Sequence, residues 1–194
     1  MQTNLKTKKY TPEEYLALED EAEFRSEYEN GEIVQMAGGS LNHTQIGFNT
    51  AKAIDRKIDG NCRTLTSEVK VWVESIKKFY YPDVLVLCGE PSFHRKRTDT
   101  IINPILIVEV LSDSTEAKDR GEKFFAYQTL ESLREYVLVS QNRAVVEQFI
   151  RQSDGSWKYL ATIGLESSVK LESIGVELGL QEIYQKITFR QESL

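Results

Sequence analysis

Pro104-Ile105-Leu106-Ile107-Val108-Glu109-Val110-Leu111 is the stretch on which the fold turns. One carboxylate interrupts a run of aliphatic residues, the composition of a strand covered on both faces. The run begins near Ile101, and two similar extended segments precede it, Arg63 to Val73 and Tyr80 to Cys88. Tyr80–Cys88 and Ile101–Leu111 are joined by a loop from Gly89 to Asn103, so they are expected to pair antiparallel as neighbours. A carboxylate inside such a strand is costly unless paired, and a bound cation is one of the few adequate partners. A structural salt bridge, or a strand end that reaches water, is the alternative.

Outward from this core, Thr11-Pro12-Glu13-Glu14 predicts a helix running through Leu18: a Thr cap, Pro at the first helical position and Glu14 completing a capping box. The acidic stretch Glu19 to Asn30 meets Gly31, after which Glu32 to Ala37 alternates as a strand. From Leu41 to Ile58, apolar or small residues at Ile46, Gly47, Ala51, Ile54 and Ile58 fit a helix, with Asn42 and Gln45 as a capping pair. Beyond the central run, Asp113 and Glu116 open a helix to about Glu131 through Phe124, Tyr127 and Leu130. Glu135 to Val139 reads as a strand, and Ala144–Arg151 with Trp157–Ile163 reads as a hairpin across Ser153-Asp154-Gly155-Ser156. Leu180 to Ile187 is the last helix. The order predicts an α/β (α+β) fold, a central mixed sheet flanked by helices, in one domain over residues 1–194.

Bulk properties limit the function classes. Of the 194 residues, 40% are hydrophobic and 28% charged, which excludes a disordered or fibrous chain. No apolar run approaches the roughly 20 residues of a membrane span. Met1 to Lys6 lacks the apolar stretch of a secretory signal, so a cytoplasmic location is expected. On that basis Cys62 and Cys88 read as two unpaired thiols, without neighbours at zinc-site spacing. A net charge of -6 opposes a non-specific hold on nucleic acid, so such a partner needs a local basic patch. His94-Arg95-Lys96-Arg97 is basic but lies in the loop between the two strands, roughly 20 Å from the carboxylate end for strands of about six residues. It reads as solvated, with a grip on flanking duplex as the alternative; Lys118, Arg120 and Lys123 are better placed for phosphate.

Tyr81-Pro82-Asp83 supplies a second carboxylate at the head of its strand. Antiparallel pairing sets Asp83, early in one strand, beside Glu109, late in the other. Hard carboxylates of this kind hold Mg²⁺ or Mn²⁺ while leaving positions for water and a phosphate oxygen. A nearby lysine can act on that water and on the developing negative charge.

Pro82-Asp83 followed by Glu109 resembles the PD-(D/E)xK nuclease core. Glu109 to Thr115 with Asp119-Arg120-Gly121-Glu122-Lys123 is similar to the Uma-two family of restriction endonucleases. The likeness extends from Glu14-Tyr15-Leu16-Ala17-Leu18-Glu19 through Glu27 to Val34 and Asn42-His43-Thr44-Gln45-Ile46 to Leu180-Gln181-Glu182-Ile183-Tyr184. It implies a restriction-endonuclease-like fold, a DNA substrate, Mg²⁺ or Mn²⁺ at Asp83 and Glu109, and Glu27 as a further acid. One departure stands out: the lysine expected two positions after the second carboxylate is Leu111. The family places a lysine on the following helix instead, here Lys123, whose bland role is an exposed partner for Asp119 four residues earlier. His43 also matches a family position, although a lone histidine there is more often a helix-start or core residue than a base; Ser112 would support the site by hydrogen bonding, and a helix-start role explains it equally well. A symmetric homodimer follows by analogy with nucleases that cut both strands. The alternative function is a non-catalytic nucleic-acid or protein interaction module on the same fold, favoured by Leu111 and the acidic charge.

Overall fold

The structure is a computed structural model that describes residues 8–36 and 38–189. Met1 to Lys6, and Ala37 at the end of the strand expected from Glu32, lie outside the described residues. Helix α1 (Pro12–Glu21) starts as the sequence dictates: Thr11 Oγ1 accepts from the Glu14 N–H at 3.1 Å and Glu14 Oε2 accepts from the Thr11 N–H at 2.7 Å. It runs three residues beyond Leu18. Strands β1 (Ser26–Glu29) and β2 (Glu32–Gln35) then form a hairpin over Asn30-Gly31, both at positive φ (50° and 95°), the backbone a two-residue turn requires. The acidic stretch thus contains a strand that its polarity conceals.

Helix α2 (Leu41–Asp55) is capped not by Asn42 but by Ser40, whose Oγ accepts from the His43 N–H at 3.1 Å. Asn42 instead donates to the Thr188 carbonyl, and Gln45 to Asn49.

Each of the three long apolar runs divides into two strands that join different sheets. The first gives β3 (Cys62–Thr66) and β4 (Lys70–Val73), the second β5 (Lys78–Tyr80) and β6 (Val84–Cys88), the third β7 (Thr100–Ile101) and β8 (Leu106–Leu111). Further strands are β9 (Glu135–Ser140), β10 (Val145–Arg151), β11 (Trp157–Ile163), β12 (Ser168–Leu171) and β13 (Val176–Gly179). The central sheet has the order β11-β10-β9-β8-β6-β3 and is mixed, with β8 parallel to β9 and its other pairs antiparallel. A second sheet runs β2-β1-β5-β4-β7, and β12 and β13 form a hairpin that sequence reading did not anticipate.

The parallel β8–β9 step needs a crossover, and the helix expected from Asp113 supplies it in altered form. It consists of α3 (Glu116–Lys118), a π-helical turn (Asp119–Lys123) and α4 (Phe124–Tyr127). The last helix, α5 (Leu180–Ile183), is shorter than expected. Alternation along β8 assigns the two faces of the central sheet. Leu106, Val108 and Val110 pack with Ile46 and Ile54 of α2, whereas Ile107 and Leu111 pack with Ala126 and Tyr127 of α4 and with Tyr80 and Val71 of the second sheet. Glu109 therefore lies on the side covered by the crossover.

Cys62 and Cys88 face each other across β3 and β6 and are joined as a disulfide, contrary to the expectation of two free thiols. Sequence gave no sign of the register that brings them together. Among the described residues no helix is long and apolar enough to cross a membrane.

Candidate active site

The β6–β8 pairing matches Val84 with Val108, and the same register one residue further sets Asp83 beside Glu109. Asp83 Oδ2 accepts from the Val110 N–H at 2.7 Å, which fixes its carboxylate at the end of the pair. Glu109 is 3% exposed, and its Oε1 accepts from Lys123 Nζ and from Tyr127 OH, both at 3.1 Å. Lys123 Nζ also lies 3.3 Å from Glu27 Oε1 and 3.2 Å from Asp119 Oδ1. Four segments therefore converge: β1 brings Glu27, the β6 entrance Asp83, β8 Glu109, and the crossover Asp119, Lys123 and Tyr127.

The crossover, not β8, brings a lysine beside Glu109. Leu111 occupies the same strand face two residues after Glu109 but is 3% exposed within the apolar cluster of Tyr127, Leu130 and Leu138, so no ammonium reaches the site from that position. Asp119 and Lys123 are not an exposed pair; both are buried, and the Tyr136 hydroxyl donates to the Asp119 carbonyl at 3.0 Å to hold the π-helical turn against the sheet. Tyr127 escaped the sequence reading, although its position four residues after Lys123 puts it on the same helical face.

Burial raises the Glu109 carboxyl well above its usual range; Lys123 opposes this, while Asp119, Asp83 and Glu27 add to it. For Lys123, burial works against the charged form, but the carboxylates of Glu109, Glu27 and Asp119 outweigh it and raise the ammonium well above its ordinary value. The causes differ: burial leads the shift of Glu109 and the neighbouring acids add to it, whereas for Lys123 those acids prevail over burial. His43 follows the same logic. Burial depresses its imidazole, but Asp83, with Oδ2 3.3 Å from Nε2, more than offsets this and the net shift is upward. Gly39 permits this arrangement, since a Cβ there would stand 2.9 Å from His43 Nδ1.

All of these acids line one cleft of about 800 Å³, together with His43, Ser112 and Lys118. Lys118 donates to Glu27 Oε2 at 2.7 Å and also pairs with Glu29. Ser112 bonds to Ser114 and Thr115 while its carbonyl accepts from the Thr115 and Glu116 N–H groups, a helix-start arrangement at the cleft rim. Arg120 turns away to Glu116 and Glu147. Two cations of the basic loop are paired within the protein: Arg97 grips Asp20 and Asp99, Arg95 pairs with Glu13, and the His94 ring packs at a tilt against Trp72.

The donor chemistry suits a hard divalent cation, and Asp119 Oδ1 is buried without a hydrogen bond among the described residues. As arranged, though, the carboxylates close around the Lys123 ammonium, and among the described residues no group of three His, Cys, Asp or Glu side chains is set to hold a metal.

Known proteins extend this picture. Two uncharacterized proteins of Synechocystis sp. are similar along most of the chain: slr1290 is 36% identical over 93% of this chain and 94% of its own length, and sll1609 is 34% identical over 84% and 93%. The crystal structure of a "putative nuclease belonging to DUF820" from Anabaena variabilis superposes with a TM-score of 0.74 at 17% identity, covering 92% of this chain and 99% of that one, and so shares the fold. The family profile described as "Putative restriction endonuclease" matches residues 12–182, and the chain belongs to that family, Uma2.

Proposed function

We propose that the protein is a Mg²⁺- or Mn²⁺-dependent endonuclease that hydrolyses DNA phosphodiester bonds, acting in the cytoplasm as a symmetric dimer. The observation that carries this reading is Glu109, buried in a strand, beside Asp83 and 3.1 Å from Lys123 on the floor of the cleft. Asp83 and Glu109 would hold the ion, with Glu27 as an auxiliary acid. When bound, such an ion polarises a phosphate oxygen and lowers the pKa of a coordinated water. Lys123, kept protonated by three carboxylates, is suited to carrying the charge that develops on the phosphate rather than to taking a proton from water. Tyr127 orients Glu109, and the Val110 N–H orients Asp83. His43 and Ser112 line the approach. In a reducing cytoplasm the Cys62–Cys88 pair would stand as two adjacent thiols, and the bridge would form on oxidation.

The test is cleavage of supercoiled and linear DNA by the full chain with Mg²⁺ or Mn²⁺, and its loss with a chelator. Glu109→Gln should fall by about two orders of magnitude or more while remaining folded. Full activity in that variant would end the assignment. The closed arrangement around Lys123 favours one other reading, a non-catalytic interaction module; absence of both metal binding and cleavage would select it.

A further inference from the structure

Three carboxylates from three parts of the fold converge on one ammonium: Glu27 of β1 at 3.3 Å, Glu109 of β8 at 3.1 Å and Asp119 of the crossover at 3.2 Å. Of the three, Glu109 accepts a hydrogen bond from the ammonium, while Glu27 and Asp119 hold it at ion-pair distance, so positive charge is already in place among the acids. The Tyr80 ring lies 5.6 Å from the same nitrogen, on which side no further carboxylate is needed. A divalent ion on Glu109 would share a carboxylate with this ammonium, and two cations a few ångströms apart in a buried cleft repel strongly.

We infer that Lys123 is the resident counter-ion of the acid cluster, and that a divalent metal binds Glu109 by exchange with it, the ammonium giving up its contact with that carboxylate. This rests on the metal reading above and adds to it the order of events at the site: before metal arrives, the lysine keeps the carboxylates together; afterwards, it is released toward the cleft that substrate enters. The consequence is opposite to that of a lysine that organises the metal site. Removing its charge strengthens metal binding instead of weakening it.

The first measurement is Mn²⁺ affinity, by calorimetry or by the resonance signal of free Mn²⁺, for the wild type and Lys123→Met. Binding about tenfold tighter in the variant is expected; equal or weaker binding overturns the exchange. Because Lys123→Met strips three buried carboxylates of their counter-ion, a second measurement uses the wild-type protein alone. Reductive methylation with formaldehyde, read by peptide mass spectrometry, should modify Lys123 several-fold faster with saturating Mg²⁺ than without it, while exposed Lys52 and Lys96 keep their rates. An unchanged Lys123 rate at a Mg²⁺ concentration that raises the thermal midpoint overturns the exchange and leaves the nuclease reading standing. Failure of both proteins to bind Mn²⁺ overturns both.

Discussion

Lys123 carries two duties that its substitutions should separate. Lys123→Ala removes the charge that the proposed reaction places near the phosphate, so turnover at saturating metal should fall by about two orders of magnitude. Lys123→Arg keeps a charge but replaces a compact three-donor head with a planar fork, in a pocket where the side chain is 8% exposed and three carboxylates lie at 3.1 to 3.3 Å. It should therefore recover little activity; single-turnover cleavage at saturating Mn²⁺ checks both, and full rescue by Arg would mean that charge alone matters. Tyr127→Phe is the milder probe. It deletes the hydroxyl that donates to Glu109 at 3.1 Å while Lys123 still holds the same oxygen, so a stability loss of about 1 kcal/mol is expected by urea unfolding.

At the scale of elements, the loop and edge around the site are fastened by contacts that can be tested without substrate. The run from His94 to Arg97, basic enough to invite phosphate, spends the charge of its two arginines on α1 and on Asp99, just before β7. Arg97 binds Asp99 and Asp20, and Asp99 accepts from Lys70 at 2.7 Å. Arg97 holds the Asp99 carboxyl well below the usual carboxylate range; burial opposes this and Lys70 adds to it. A depressed folded value means stability that is present above the ordinary carboxyl range, near pH 4, and lost as pH falls through the folded value. Asp99→Asn should thus cost about 1 kcal/mol at neutral pH, kept small by solvent around a partly exposed carboxylate, and its deficit should be level from about pH 5 to 8 and close below about pH 4 in denaturant titrations. The Cys62–Cys88 bridge fastens β3, which among the described residues pairs only with β6 at the sheet edge, and closes a loop with a sequence separation of 26. On chain-entropy grounds its reduction should lower stability by about 3 kcal/mol; a midpoint indifferent to reductant would show the thiols unpaired in solution. What sequence conveyed at this scale followed from local signals. The capping box at Thr11, the β10–β11 hairpin and the β6–β8 pairing were each legible from adjacent residues. The division of each apolar run between two sheets was not, because a break as short as Ser67-Glu68 or Pro82-Asp83 does not reveal that the chain leaves one sheet for the other. The Asn30-Gly31 turn was there to be read, but the polar strand before it was masked by the surrounding acids. Of the candidate site, Glu27, His43, Asp83, Glu109 and Lys123 were legible as residues of one cleft; Tyr127 and the burial of Asp119 depend on how the crossover lies on the sheet.

On the scale of the molecule, the acid cluster is where separate layers meet. Glu27 comes from the five-stranded sheet, Asp83 and Glu109 from the six-stranded sheet, and Asp119 and Lys123 from the crossover above it. A metal bound there ties these layers together, so its effect should appear in global stability even with the substrate unknown. Free metal at a hundred times its dissociation constant adds about 2.7 kcal/mol if only the folded state binds it. For a chain of this size that corresponds to a midpoint rise of roughly 5 to 10 °C. Asp83→Asn is the informative control, because its amide oxygen can still accept from the Val110 N–H while the metal loses a charged ligand. Two opposed effects act on its stability without metal: one negative charge leaves a cluster that has too many, and the contact with His43 Nε2 at 3.3 Å loses its charge. A change within about 0.5 kcal/mol of the wild type is therefore expected before metal is added. Thermal unfolding of both proteins at pH 7.5, with and without Mn²⁺, reads both quantities at once. The wild type should rise and the Asn variant should stay where it began. A wild-type midpoint unmoved by saturating Mn²⁺, or an equal gain in the variant, would remove Asp83 and Glu109 as the metal-binding pair, because no other route links that substitution to a metal-dependent gain shared by all three layers.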